Sequence, residues 1–379
     1  MSPWLVRRAR YFAPLGVAGA IALGAWVPTL SASPAPGLPP VTAQQLLVDV
    51  QQARPPELSG TLTWTANLGV PDLSSLQSAS GQGGNQGFDP LSLLSGTRSF
   101  SVWLDGARAE HLSLTQDQPA AELDLVRNGS RAWIWDSTTQ TVTELQGLPV
   151  GGAPTSTTPT TVPAMSPSQL AAQFLDHLSR TTKVTVGTPL YVAGQPAYPL
   201  LLAPNGSSAS TVDHVEVYVG GAEPLVGVPL GVAVYARGQA APALSLAFSG
   251  QLTLGPPPAS ELTFTPPPGA RVVTRTLSPT SPATGSSSAS SSQAGAGLGL
   301  GGLSRSGQGW ASVVSGVARQ FTGAGQATLD QVTTVVPVAG QQARLFSTDL
   351  LNVLFMPDGR FYAGFVVPRA LEAAASAAA

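Results

Sequence analysis

The chain contains no cysteine. That absence excludes disulfides, thiolate metal sites, a cysteine nucleophile and the acylated cysteine that tethers bacterial lipoproteins. Lysine is almost missing too: Lys183 stands alone beside the arginines, a bias that points to a GC-rich bacterial genome rather than to any chemistry. Charged residues make up 10% of the 379, against about 25% in an ordinary soluble domain. The formal net charge is −2, so nothing here attracts a phosphate backbone, and nucleic acid is excluded as an expected partner. No Gly-x-Ser-x-Gly or Ser-x-x-Lys nucleophile motif occurs. The 3 histidines are not spaced as metal ligands. No catalytic residue, cofactor or metal is therefore expected.

The chain does have 41 glycines and 35 prolines, and long runs of strict apolar/polar alternation between them. The stretch 122–136 is the most informative. Two alternating runs flank Asn128-Gly129, a strong hairpin signal. A three-residue loop would gather Leu123, Leu125, Trp133 and Trp135 on one apolar face. A two-residue loop at Asn128-Gly129 would instead mix the indoles with Asp124 and Glu122. One clean apolar face favours the first register.

Residues 1–33 read as an export signal or an N-terminal membrane anchor. Arg7, Arg8 and Arg10 precede the uncharged apolar run 11–27, and Ser31-Ala32-Ser33 offers small residues for cleavage. If retained, residues 5–30 associate with the membrane. Both outcomes place the rest outside the cytoplasm, secreted or held at the outer face of the cytoplasmic membrane.

After a Pro-rich spacer, Thr42 and Gln45 fit a capping box for a short helix carrying Leu46, Leu47 and Val50. A regular strand follows at 58–68, with Leu62 and Trp64 on one face and Thr61, Thr63 and Thr65 on the other. Residues 69–96 are a Gly/Ser/Gln-rich loop, read as a flap. Further strands are expected at 99–104, 108–114 and 141–145, then a Thr/Pro loop at 147–165 and a helix at 166–179. A second run of strands occupies 183–186, 191–193, 198–202, 213–219, 230–235, 244–254 and 261–265. The fold class expected is mainly β (α+β), an antiparallel half-barrel of about eleven strands lidded by helices, over 42–275. Residues 276–308 read as a flexible linker. Residues 309–379 read as a small α+β unit that docks on the half-barrel, with helices at 310–321, 327–335 and 369–379 and strands at 344–356 and 361–367.

His214 and Glu216 share one strand face and read as surface. Asp176-His177 falls on a helix exterior. Asn128-Gly-Ser130 and Asn205-Gly-Ser207 match glycosylation sequons but read first as turns. The aromatic set Trp64, Phe100, Trp103, Trp133 and Trp135 fits either an ordinary sheet core or a pocket lining.

The segment 58–270 resembles the LolA/LolB/RseB-like family of exported bacterial lipid-binding domains, in its Gram-positive, high-GC form. The residues that carry the resemblance are Leu58-Ser-Gly-Thr61, Trp103-Leu-Asp-Gly106, Val126-Arg-Asn-Gly129 with Trp133-Ile-Trp135, and Phe264-Thr-Pro-Pro-Pro-Gly-Ala270. The resemblance implies a curved half-barrel holding acyl chains of lipids or lipoproteins between sheet and helices. In the RseB branch it implies a sensor that controls an anti-sigma factor, hence a membrane-protein partner. The chain departs from the family in lacking the lipid-anchoring cysteine and the carrier's lid arginine. The residues expected to line an acyl-chain site are Leu62, Trp64, Phe100, Val102, Leu123, Leu125, Trp133 and Trp135.

Overall fold

The computed structural model describes residues 36–54, 56–69, 95–117, 120–148, 181–206, 209–276, 301–317 and 332–378. The expected export segment, the flap, the helix at 166–179 and most of the linker lie outside them. The chain divides into Met1–Gly37 and Leu38–Ala379, and every described helix and strand belongs to the second unit.

Helix α1 (Ala43–Gln52) begins where the sequence places a cap: Thr42 Oγ1 accepts from Gln45 N–H at 3.1 Å. Leu46, on its inner side, is 1% exposed.

The large sheet is built from β1 (Glu57–Asn67), β2 (Ser95–Asp105), β3 (Ala109–Asp117), β4 (Ala120–Asn128), β5 (Arg131–Asp136), β6 (Thr141–Gln146), β7 (Thr182–Val186), β8 (Leu190–Val192), β9 (Gln195–Pro204), β10 (Val212–Gly220), β11 (Pro229–Ala236), β12 (Leu244–Leu254) and β13 (Arg271–Thr276). Its order is β13-β6-β5-β4-β3-β2-β1-β12-β11-β10-β9-β7, with β8 on β9. The first and last long strands thus meet in the middle, where Leu62 faces Phe248 and Trp64 faces Leu246. The sheet is open, with β13 and β7 at its edges. Among the described residues it has 13 strands, against the expected number of about eleven, and β13 runs parallel to β6. The expected strand at 261–265 is instead a short 3-10 turn, Ala259–Leu262. Prolines at 256–258 and 266–268 bracket it and cannot donate to a ladder.

Alternation gives this sheet one apolar face. Over β7, β9 and β10 that face is closed by α1: Leu46, Tyr198, Leu200 and Val219 form a cluster with Leu47, Val50, Val184 and Val217 packed around it. Gly227 makes the close approach possible, since a Cβ there would lie 2.1 Å from Asp49 O at a φ of +77°.

A second sheet comprises β14 (Gly301–Ser306), β15 (Val313–Val317), β16 (Thr334–Val338), β17 (Gln341–Ser347), β18 (Asn352–Phe355) and β19 (Arg360–Gly364), in the order β14-β15-β19-β18-β17-β16. Helix α2 (Pro368–Ala377) covers one face, burying Leu371 and Ala375 against Leu354, Tyr362 and Val313. Two expectations are corrected here. β14 lies within the segment read as linker, and the helix expected from 310 is a 3-10 turn at Gly309–Ala311 followed by strand β15. Val313, Val314 and Val317 are β-branched, and β15 pairs with β19, so ladder formation overrides the helical spacing.

The two sheets are bonded to each other. Asp349 N–H donates to Leu68 O at 2.9 Å and Thr211 N–H to Phe365 O at 3.0 Å. Trp310 Nε1 donates to Thr182 Oγ1 at 2.8 Å. Leu350, fully buried, packs among Leu68, Val212, Ala236 and Ala243.

Candidate ligand-binding wall

Register decides which side chains share a surface. Reading across strands, Leu62, Phe100, Leu114, Leu123 and Asp136 are successive partners. The neighbouring row is Val102, Leu112, Leu125, Ile134, Thr143 and Val273. Together they continue, over β1–β6 and β13, the apolar face that α1 closes elsewhere. Seven strands at a spacing of roughly 4.8 Å make a wall roughly 29 Å wide. Val102 and Leu114 are buried; at the β1 end, Val102 joins a cluster with Leu58, Val228 and Phe248. Leu62, Trp64, Phe100, Leu112, Leu123, Leu125 and Ile134 are only half-buried. Among the described residues, no helix lies over this part of the face.

Six of the eight residues expected to line a site, Leu62, Trp64, Phe100, Val102, Leu123 and Leu125, therefore stand on one face. Trp133 and Trp135 do not. The observed register pairs Val126 with Trp133, Asp124 with Trp135 and Leu125 with Ile134. The loop has two residues, Gly129-Ser130, with Gly129 at a φ of +59°. It lies one position beyond the Asn128-Gly129 turn, so the indoles share a face with Asp124 and turn away from the leucines. A glycine opening a two-residue loop is itself a hairpin signal, and it marks the true register.

On this reverse face the indoles meet a strap, residues 255–270, that connects β12 to β13. Trp133 stacks on Phe264 with ring centroids 6.1 Å apart, and Asn128 Nδ2 donates to Leu262 O at 3.3 Å. Val126, Trp135, Val142 and Leu262 are all buried. The charge expected to stay away from tryptophan is accommodated by a partner. Asp124 Oδ1 lies 3.5 Å from His111 Nε2, and the His111 ring stacks on Trp103 with centroids 4.7 Å apart. At that length the contact is longer than an ordinary hydrogen bond and is an ion pair only when the imidazole is protonated, and both ring nitrogens lack a hydrogen-bond partner. Burial pushes the Asp124 carboxyl up, but the pull of His111 and Ser113 outweighs it and holds the group below its ordinary range.

Further along the reverse face, His214 stacks on Tyr235 with centroids 4.3 Å apart. Tyr218 OH donates to Glu216 Oε2 at 2.8 Å. Burial, then the neighbouring Glu216 carboxylate, push the Tyr218 hydroxyl well above the usual phenol range. Among the described residues, no group of three or more His, Cys, Asp or Glu side chains is placed to hold a metal. What the arrangement offers chemically is mostly apolar area; Asp136 and Thr143 are the polar side chains of its two rows, and the Asp136 carboxylate accepts from Thr138 and Thr139.

No protein-family model matches the chain, and no curated protein matches it. Among solved structures, the MucA/MucB complex of Pseudomonas aeruginosa is similar at 15% identity and a TM-score of 0.40, over 87% of this chain and 94% of that one. An uncharacterized conserved protein from Thermus thermophilus is similar at 11% identity and a TM-score of 0.32, over 62% and 99%. A LolA superfamily protein from Nitrosomonas europaea is similar at 12% identity and a TM-score of 0.23, over 59% and 99%. Of these, the Nitrosomonas europaea protein carries the LolA name that also stands in the family the sequence motifs resemble. At these identities and scores neither a function nor a partner transfers to this chain.

Proposed function

We propose that this chain is an exported, non-catalytic carrier that holds the acyl chains of a lipid or lipoprotein against the wall formed by Leu62, Trp64, Phe100, Val102, Leu123 and Leu125. The observation that supports this is a broad apolar sheet face, rich in large side chains, that keeps partial exposure beyond the reach of α1. Each methylene buried gains about 0.8 kcal/mol. Ten of them supply roughly 8 kcal/mol before ordering costs, enough for retention without any specific polar contact.

The test is retention of a fluorescent acyl probe. Leu125→Asp places a carboxylate on the wall and is expected to weaken retention at least tenfold. Trp133→Asp, on the reverse face, leaves retention unchanged where the fold survives, as monitored by circular dichroism. Equal retention by Leu125→Asp and the parent would sink the proposal. Mass spectrometry of an organic extract from the purified protein identifies the cargo.

A second reading is a regulatory sensor that binds a membrane protein. What favours it is the bonding of the second sheet to the large one through Leu68, Thr182 and Thr211, which links the two sheets physically. A sensor captures its partner differently when loaded and unloaded, whereas a simple carrier does not.

A further inference from the structure

Among the described residues, the outer edge of β13 is the unpaired backbone next to the wall, and it carries two arginines. Arg271, Val272, Thr274, Arg275 and Thr276 are exposed, and Val272 keeps 48% of its surface. Arg271 and Arg275 lie on the same side of the strand with Val273 between them. Neither arginine has an acidic partner within ion-pair distance among the described residues. Glu144, on the neighbouring strand, is engaged by Thr274 Oγ1 at 3.2 Å and by Gln146 Nε2 at 2.8 Å.

Backbone direction is fixed by one bond. Arg271 N–H donates to Gln140 O at 2.9 Å, so the amides of Arg271, Val273 and Arg275 point inward to β6. Those of Val272, Thr274 and Thr276 point outward. An edge with free amides and carbonyls is a template for another strand.

We infer that the β13 edge receives an extended acidic segment of another protein, of the pattern acid-x-apolar-x-acid, as an added strand. The two acids meet Arg271 and Arg275, roughly 13 Å apart along the strand, and the apolar residue meets Val273. Side-by-side charge pairs and a shared ladder supply register and affinity together. A second copy of this chain is disfavoured as the occupant. The self-register that puts Val273 against its counterpart opposes Arg271 to Arg275 twice. The inference is independent of what the wall holds.

The experiment uses the full chain and a fluorescein-labelled peptide Glu-Thr-Val-Thr-Glu flanked by serines, read by anisotropy. Binding of this peptide, and at least tenfold weaker binding of its Lys-Thr-Val-Thr-Lys counterpart, is the expected result. Val272→Pro removes one outward amide while leaving the bonds to β6, and is expected to weaken binding at least tenfold. Arg271→Glu with Arg275→Glu is expected to reverse the preference between the two peptides. No binding of the acidic peptide, or binding that Val272→Pro leaves unchanged, overturns the inference. Concentration-dependent dimerisation through β13 would overturn it in favour of a second copy.

Discussion

The two halves of the large sheet carry the same alternation and the same kinds of side chain, yet they become stable in opposite ways. Over β7, β9 and β10 the apolar face is the core. Leu46, Tyr198, Leu200 and Val219 are each at most 4% exposed, because α1 lies across them. Ten residues of helix span roughly 15 Å, about three strands, and the cover ends there. Over β4–β6 the large buried side chains, Val126, Trp135 and Val142, are on the reverse face, where the strap meets Trp133 and Asn128. That half is held from behind, and its apolar face keeps partial exposure. A half-buried leucine in one region is thus not the same object as a buried leucine in the other.

The largest expected effect breaks or keeps that contrast within a single strand pair. Trp135→Ala removes a buried indole from the reverse face and is expected to cost about 4 kcal/mol in urea unfolding. Leu125→Ala, on the wall, is expected to cost about 1 kcal/mol while loosening the acyl probe. If Leu125→Ala costs as much as Trp135→Ala, the wall is core and the contrast collapses. Next in size is Leu46→Ala, expected to cost about 3 kcal/mol through the cavity left under α1 and to leave probe retention unchanged. A large loss of retention would mean that the α1-covered region also binds.

Much of this architecture is legible in the sequence. The alternation in 58–68 marks β1, observed at 57–67, the Thr42/Gln45 pair marks the start of α1, and the Val215/Val217/Val219 series separates correctly from His214/Glu216/Tyr218. The hairpin register is not legible from alternation alone, for a physical reason. Carboxylate and indole are expected to avoid a common face, but Asp124 finds His111, thirteen residues earlier on the neighbouring strand, and local sequence does not announce that pairing. Gly129-Ser130 is the signal that fixes it. The expected register places Trp133 and Trp135 on the wall and omits Ile134, which the true register adds; Leu112 and Val273 join the same row through the pairing of β3 with β4 and of β13 with β6. The helix expected at 310–321 fails because Val313–Val317 forms a ladder with a strand more than forty residues away, which no local pattern reveals.

The His111–Asp124 pair sharpens the contrast by pH. The Asp124 carboxyl lies below its ordinary range in the folded state. Its contribution is therefore fully present above the unfolded value near 3.9 and is lost as pH falls through the folded value. Asp124→Asn is expected to lower stability at neutral pH and to make the remaining acid loss shallower below about pH 4. Thermal unfolding followed at several pH values checks this. A parallel offset at every pH would mean that the carboxylate charge is not what holds the reverse face.

The smallest effect asks whether α1 is a fixed roof. Thr42 Oγ1 accepts the Gln45 amide, and Gln45 Nε2 reaches Asp49 Oδ1 at 2.9 Å, so the first turn is tied at both ends. Removing the cap by Thr42→Ala costs about 1 kcal/mol. If α1 belongs to the cooperative core, that cost appears in global unfolding, and amide exchange across 43–52 tracks it. If α1 opens by itself, global stability stays constant and only those amides exchange faster. The burial of Leu46 at 1% exposure and the backbone contact of Asp49 with Gly227 favour the first outcome. Under it the covered half stays closed, and the proposed acyl-chain site is confined to the strands that the strap supports from behind.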